Sequence, residues 1–472
     1  MGEGMRAKML IELAMKNRLP EAWQVENSTA LDGHAALAEL MNAQSPPPVY
    51  GANRLVGHLD GITLNDQDIA RFQRQLIDSH CVGGPPWMNA WQVRCVTYAK
   101  LATLNAGGST ISRRLYQQIL CCATADEFCP RIPVNASYSC GDVIPGAHWA
   151  DGVINFRGYA QHQSLAMKEG LSLINGCFVH LGQALSLIPR AERLVANSLA
   201  LSRMFFDLSG GGPLASHWQA IDPNDGQLAA IWRFLGREGE LASAERQEPV
   251  SVRAAPQVAD ALLSALRQLT DELDLHLNRP SDNPLMAHTP LAAVSQASFL
   301  APRLTVATAG FIESLMLACW DQVQRAQYLL SGQVEKIPAQ AVEADRPLGL
   351  IQVPKQMMAK LESLRLNAGR RTFASGGATS EGVEDLWSHG MAANRQLEMA
   401  LEAAESILAL ELALLGWCEE RFKPNGKVSE TLLVGEDNFP AVVARASVHL
   451  ETALHSGASR LICELLEVER SR

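Results

Sequence analysis

The sequence predicts a mostly α protein, with a loop-rich N-terminal domain over residues 1–180 and a long central and C-terminal helical bundle over 181–472. Three observations lead there. Apolar residues recur at helical spacing through the later part of the chain. Alternating strand patterns are rare. Glycine and proline punctuation is concentrated in the first part.

The N-terminal domain carries Pro46-Pro47-Pro48, Gly83-Gly84-Pro85-Pro86, Gly107-Gly108 and the stretch from Pro130 to Pro133, which reads as several helices joined by loops. Beyond it, Val258, Leu262, Leu263, Leu266, Leu269 and Leu273 form one apolar stripe. The spacing of Met391, Leu397, Leu401, Ile407 and Leu415 predicts a second long helix over Leu386 to Cys418. Strand-like alternation is confined to short pieces such as Pro249 to Val252, which argues against an α/β sheet enzyme. Gly210-Gly211-Gly212 and Gly376-Gly377 lack the downstream Gly-Lys-Ser/Thr of a phosphate loop and read as flexible loops.

Composition removes several function classes. At 472 residues the chain buries a sizeable core, and its 47% apolar and 19% charged content is that of an ordered globular protein. A net charge of −10 with no basic block argues against nucleic acid as a partner. Glu12, Lys16 and Arg18 interrupt any signal-peptide core near the start, and the apolar stretch Leu304 to Trp320 contains Glu313, so no membrane role is expected and a cytoplasmic location is. Ten cysteines without a secretory signal suggest reduced thiols. Cys121, Cys122 and Cys129 cluster without paired metal-ligand spacing or a nearby histidine, so no metal is assigned.

The most informative segment is Pro133-Val-Asn-Ala-Ser-Tyr-Ser-Cys-Gly-Asp-Val-Ile-Pro-Gly-Ala-His148. It resembles the signature G-S-x-G-A-S-G-D-L-A-P-L-A-H of the histidine/phenylalanine ammonia-lyase and aminomutase family. Ser139 stands at the Ala position and Cys140 at the Ser position, followed by Gly141. In that family the tripeptide cyclises to methylidene-imidazolone, an electrophile made without an external cofactor. Ammonia is a poor leaving group, the proton beta to a carboxylate is weakly acidic, and ordinary side chains are not strong electrophiles. A cysteine could lose hydrogen sulfide where serine loses water and leave the same exocyclic methylene. The alternative is an intact Cys140 thiol, inert or nucleophilic.

The resemblance extends along most of the chain. Val49-Tyr-Gly-Ala-Asn-Arg-Leu-Val-Gly57 is similar to V-Y-G-x-N-T-G-F-G, which implies Tyr50 as the catalytic base, provided positive charge or a dipole lowers its pKa. Gln73 to Gly83 resembles the helix lining the side-chain pocket. Its Ser79-His80 pair is closest to the histidine-lyase version, so His80 is either a specificity residue for a polar or aromatic side chain or a structural histidine. Asn175, in the match to A-L-I-N-G-T, would hold the electrophile or the substrate. Gln247 to Arg253 with Ala255-Pro256-Gln257 matches Q-D-x-Y-S-L-R-x-x-P-Q, placing Gln247 at the substrate and Arg253 as a two-pronged clamp for its carboxylate. Ser281-Asp282-Asn283-Pro284 matches S-D-N-P. Phe299 is the nearest match to a Phe packed beside the electrophile, although the following proline falls one residue early. Glu384, matching the Glu of N-Q-E-D-H-V-S-M, could hold the amino group or take its proton.

Three departures bear on the reaction. Val250 replaces the family's second active-site Tyr, Asn53-Arg-Leu-Val-Gly57 replaces N-T-G-F-G, and Gly382-Val-Glu-Asp-Leu386 replaces N-Q-E-D-H. Loss of a positioned proton-transfer group typically slows a reaction by orders of magnitude, so a changed substrate or reaction is expected. The readings are an ammonia-lyase for an unusual amino acid, a 2,3-aminomutase, an enzyme using Cys140 as nucleophile, and a non-catalytic homologue. The resemblance also implies a homotetramer and leaves open that Tyr50, Cys140 and Glu384 come from different subunits.

Overall fold

A computed structural model describes residues 6–25, 28–135, 140–214, 226–236, 247–368, 377–423, 439–452, 454 and 456–468. The chain divides into two compact units, each assembled from three segments. The first comprises Met1–Ile188, Leu269–Thr308 and Arg371–Arg395, and the second Pro189–Gln268, Ala309–Arg370 and Gln396–Arg472.

The first unit is built on capped, amphipathic helices. Asp66–His80 starts at Asn65, whose side chain accepts from the Asp68 N–H, and Asp66 and Asp68 sit where a helix N-terminus favours negative charge. It buries Ile69, Gln73, Leu76 and Ile77. Ala90–Asn105 opens with a reciprocal capping box between Asn89 and Gln92 and is buried almost all round, Lys100 included. Val143–Asn155 follows the tripeptide, and Glu169–Ile174 is a short, wholly buried helix that ends at Asn175. The described residues contain one named strand pair, an antiparallel ribbon of Leu285–His288 with Leu291–Val294.

Long helices run through residues Phe178–Ser209, Ala255–Leu277, Pro302–Leu329 and Gly390–Phe422, and each contributes to both units. The stripe over 258–273 lies within the second of these, with Leu262, Leu263, Leu266, Leu269 and Leu273 buried. The helix expected over 386–418 starts four residues later, at Gly390, because His389 has φ 53°, a left-handed conformation that a right-handed helix does not contain. Glu169–Ser209 and Pro302–Leu329 are long and apolar enough to cross a membrane by composition, but the most apolar window of the first is 100% buried inside the protein and that of the second 56%.

One local expectation is overturned. Val250–Arg253 is a single helical turn rather than a strand, entered from Pro249, whose carbonyl accepts from the N–H groups of Val252 and Arg253. Two β-branched residues at alternating positions suggest a strand only where a neighbouring strand can pair with them. Gly210 and Gly212 occupy a loop in left-handed backbone conformations, and the Gly212 N–H donates to the Glu248 carboxylate at 3.0 Å. The loop therefore cradles an internal carboxylate, while Gly376 lies outside the described residues.

Candidate active site

Tyr50 is carried by a tight loop. The Asn53 side chain accepts from the Val49 N–H at 2.7 Å and donates to the Pro47 carbonyl at 3.0 Å, closing the loop on itself. Gly51 has φ 69°, and a Cβ there would lie 2.2 Å from the Leu171 side chain, so the backbone rests directly on the helix that leads to Asn175. Gln73, fully buried, joins the two by donating to the Gly51 carbonyl and accepting from the Gly170 N–H, both at 2.9 Å. The Tyr50 hydroxyl accepts from the Gly57 N–H at 2.8 Å.

A tyrosine acting as base calls for a lowered pKa, and the structure gives Tyr50 the opposite. Burial raises it, the Gly57 N–H opposes that, and Glu384, Asp60 and Cys140 raise it further. These effects also place Tyr50, Cys140 and Glu384 of one chain within electrostatic reach of one another, so a single first unit assembles them.

Cys140 is half-buried and its Sγ donates to the Leu386 carbonyl at 3.2 Å. Burial, then the charges of Glu384 and Asp385, push its thiol up to about 11. Glu384 is steadied by Thr379, whose hydroxyl donates to Oε2 at 2.9 Å and whose N–H donates to the Glu384 carbonyl at 2.8 Å. Ser139 lies outside the described residues.

Gly141 has φ 77°, and an added Cβ would meet Asn175 Oδ1 at 2.5 Å, the Gly176 nitrogen at 3.3 Å and Phe299 Cβ at 3.3 Å. The space around Gly141 thus admits backbone and no side chain, which suits a tripeptide whose third residue must turn tightly and offer its nitrogen. Asn175 Oδ1 accepts from the Gly176 N–H at 2.9 Å, and its Nδ2 donates to the Asn283 carbonyl at 3.3 Å.

Behind Asn175 lies a buried network that the sequence reading did not identify. Lys100 Nζ donates to the carbonyls of Ser172 at 2.5 Å and Asn175 at 3.0 Å, and stands 4.2 Å from the centre of the Phe178 ring. Lys168 Nζ is 2.7 Å from Asp282 Oδ2, which also accepts from Ser172 Oγ at 2.6 Å. Burial brings Lys100 down to about 7 despite the opposing charge of Asp282. Burial alone would raise Asp282, but Lys168, the Ser172 hydroxyl and Lys100 hold it below the usual carboxylate range. A lysine in the apolar run Val-Thr-Tyr-Ala-Lys100-Leu-Ala and the Asp of the S-D-N-P match were the available signals.

The remaining predicted residues are placed differently. His80, half-buried at the end of its helix, turns Nδ1 back onto the Leu76 carbonyl at 2.7 Å, leaving Nε2 as the atom able to meet a ligand. His148, the last residue of the signature, accepts from the Gly83 N–H at 3.0 Å and so ties the signature to the loop after His80. Gln247 and Arg253 belong to the second unit and are exposed, as is Val250, with Arg253 Nε donating to the Glu248 carbonyl at 2.9 Å. The structure therefore groups Tyr50, Cys140, Gly141, Asn175, Phe299 and Glu384 in the first unit, whereas Gln247 and Arg253 sit on the second.

The family model for aromatic amino acid lyases matches residues 22–419. A histidine ammonia-lyase of Photorhabdus laumondii subsp. laumondii is 26% identical over 412 residues, covering 81% of this chain and 80% of its own. Among solved structures, the phenylalanine aminomutase of Pantoea agglomerans aligns with a TM-score of 0.84 at 18% identity, covering 96% of this chain and 98% of its own. The ergothioneine-degrading enzyme ergothionase of Treponema denticola also gives 0.84 at 18% identity, with 98% of each chain covered.

Proposed function

The chain belongs to the aromatic amino acid lyase family and is a carbon-nitrogen lyase, and from that premise we propose that it eliminates ammonia from a polar or aromatic amino acid, using an electrophile formed from Ser139-Cys140-Gly141. The observation that carries the reading is the tight space around Gly141, which leaves no room for a Cβ and is bounded by Asn175 and Phe299. Ring closure would join the Gly141 nitrogen to the Ser139 carbonyl carbon, releasing water, and hydrogen sulfide would leave Cys140 as its methylene forms. Asn175 and Phe299 are the residues that would hold the group. Once formed, it would supply an electron-poor methylene that draws electron density from the bound amino acid.

The state of Cys140 favours this over thiol nucleophilia. A thiol with a pKa of about 11 is ionised to only about one part in 10⁴ at neutral pH. Its proton and its Leu386 contact suit a leaving sulfur that departs as hydrogen sulfide better than a standing thiolate.

Tyr50 accepts the proton beta to the carboxylate. Burial and the charges of Glu384, Asp60 and Cys140 hold its phenol's pKa up, so the phenol proton must first pass to solvent; the substrate ammonium supplies the positive charge that favours this ionisation, and Glu384 takes the ammonium proton afterwards. His80 reads the substrate side chain through Nε2. We further propose a cytoplasmic homotetramer.

The deciding experiment is the mass of the proteolytic peptide spanning residues 133–148, with thiol alkylation as a control. Loss of one water and one hydrogen sulfide is expected; an unmodified, alkylatable Cys140 would overturn the reading. With the modified enzyme, release of ammonia and an unsaturated acid is expected from the true substrate, whereas an amine retained on the beta carbon would identify a 2,3-aminomutase.

A further inference from the structure

Directly after the tripeptide, Asp142 occupies the N-cap of Val143–Asn155 with φ 51° and ψ 38°, and its side chain makes no cap hydrogen bond. An N-cap aspartate ordinarily satisfies one of the helix's free N–H groups. Here the Asp142 Oδ2 lies 2.5 Å from His180 Nδ1, with both side chains buried. The His180 ring is itself fixed. A Cβ on Gly390 would lie 2.6 Å from its Cγ, so the backbone of that helix start packs on the imidazole, and the His180 carbonyl accepts from Asn394 Nδ2 at 2.7 Å. Its other nitrogen, Nε2, is buried with no hydrogen-bond partner among the described residues.

An apolar side chain of similar size would fill this position without leaving a polar atom stranded. What the imidazole adds is the donor at Nδ1. We propose that His180 is a positioning residue which, through Asp142, locks the left-handed turn at Gly141 and Asp142 in the conformation from which the tripeptide closes its ring; this rests on the reading that the tripeptide cyclises.

The physical reason is the run of two left-handed residues. Glycine adopts that conformation freely, but aspartate does so against steric resistance and needs a compensating contact. The Asp142–His180 bond is such a contact. Weakening it lets Asp142 shift towards the ordinary N-cap geometry. That movement pivots the chain at Gly141, pulling the residue out of the space between Asn175 and Phe299 that holds it.

Three substitutions separate this from simple packing. His180→Phe keeps a ring but removes the donor. His180→Asn places an amide nitrogen where Nδ1 was, and His180→Gln places its amide near the Nε2 position, out of reach of Asp142. After timed induction, the fraction of peptide 133–148 lacking water and hydrogen sulfide is measured by mass, with circular dichroism reporting the fold. Ring formation is expected to slow about tenfold or more in the Phe and Gln variants, the worth of one strong charged hydrogen bond, and to recover in the Asn variant. Equal maturation of the Asn and Gln variants would overturn the proposal, and that comparison stands even if the Phe variant does not fold. Should the wild-type peptide prove unmodified, the cyclisation reading fails separately. The lock is then read from the alkylation rate of Cys140 by iodoacetamide, expected to be faster in the Gln variant than in the wild type and the Asn variant; equal rates would refute it.

Discussion

Replacing Lys100 with methionine tests the buried network beneath Asn175. Methionine is of similar length and carries no ionisable group, and Lys100 is only 2% exposed. The folded chain releases the Lys100 proton near 7, whereas the unfolded chain keeps it up to the ordinary 10.5. Between those values unfolding takes up a proton, so this lysine makes stability rise with pH, at ~1.4 kcal/mol per pH unit where the difference is a full proton. The whole interval from 10.5 to about 7 corresponds to ~5 kcal/mol, a penalty present in full below pH 7 and gone above 10.5. Loss of the bonds to the Ser172 and Asn175 carbonyls adds an offset that does not depend on pH. The assay is urea unfolding of wild type and Lys100→Met by circular dichroism at pH 7.5, 8.5 and 9.5, with protein concentration and ionic strength held constant. The wild type should gain on the variant at each step upward. Parallel pH dependences would refute the argument that Lys100 is buried against its charge.

Gly141→Ala should lower unfolding stability by ~2–4 kcal/mol, combining left-handed strain with displacement of Asn175 from its Gly176 bond, and should abolish the mass loss in peptide 133–148. Glu384→Gln removes a charge that raises Tyr50, so the tyrosine should ionise at lower pH; ultraviolet titration against a Glu384→Gln/Tyr50→Phe control isolates that phenol. In the second unit, Arg325 is fully buried between Asp321 and Glu411, the latter at 3.1 Å. Arg325→Met leaves two buried carboxylates without their cation and should cost ~3–5 kcal/mol in denaturant unfolding.

The candidate site is legible in the chain as several separate short motifs, each contiguous within itself. The stretch 133–148 holds the tripeptide, Asp142 and His148 together, and Tyr50 and Asn175 sit in equally recognisable short motifs. Local patterns also conveyed the helical class, since apolar spacing in 258–273 reflects which face a helix must bury. The errors arose where local pattern and context diverge. Val250 and Val252 suggested a strand, but Pro249 and the absence of a pairing neighbour made one helical turn. Tyr50 was expected beside positive charge, yet the groups that fold back towards it are Glu384, Asp60 and Cys140.

The sequence by itself determined the helical class and the family, because each is written in residue types at short, fixed separations. Only the tertiary structure decided which charges meet: Lys168 with Asp282 across 114 positions, His180 with Asp142 across 38, and Lys100 with the carbonyls of Ser172 and Asn175. Burial is a property of the packed whole. A lysine in a sequence has its ordinary basicity until the fold removes its water, and where that happens cannot be read from its neighbours in the chain.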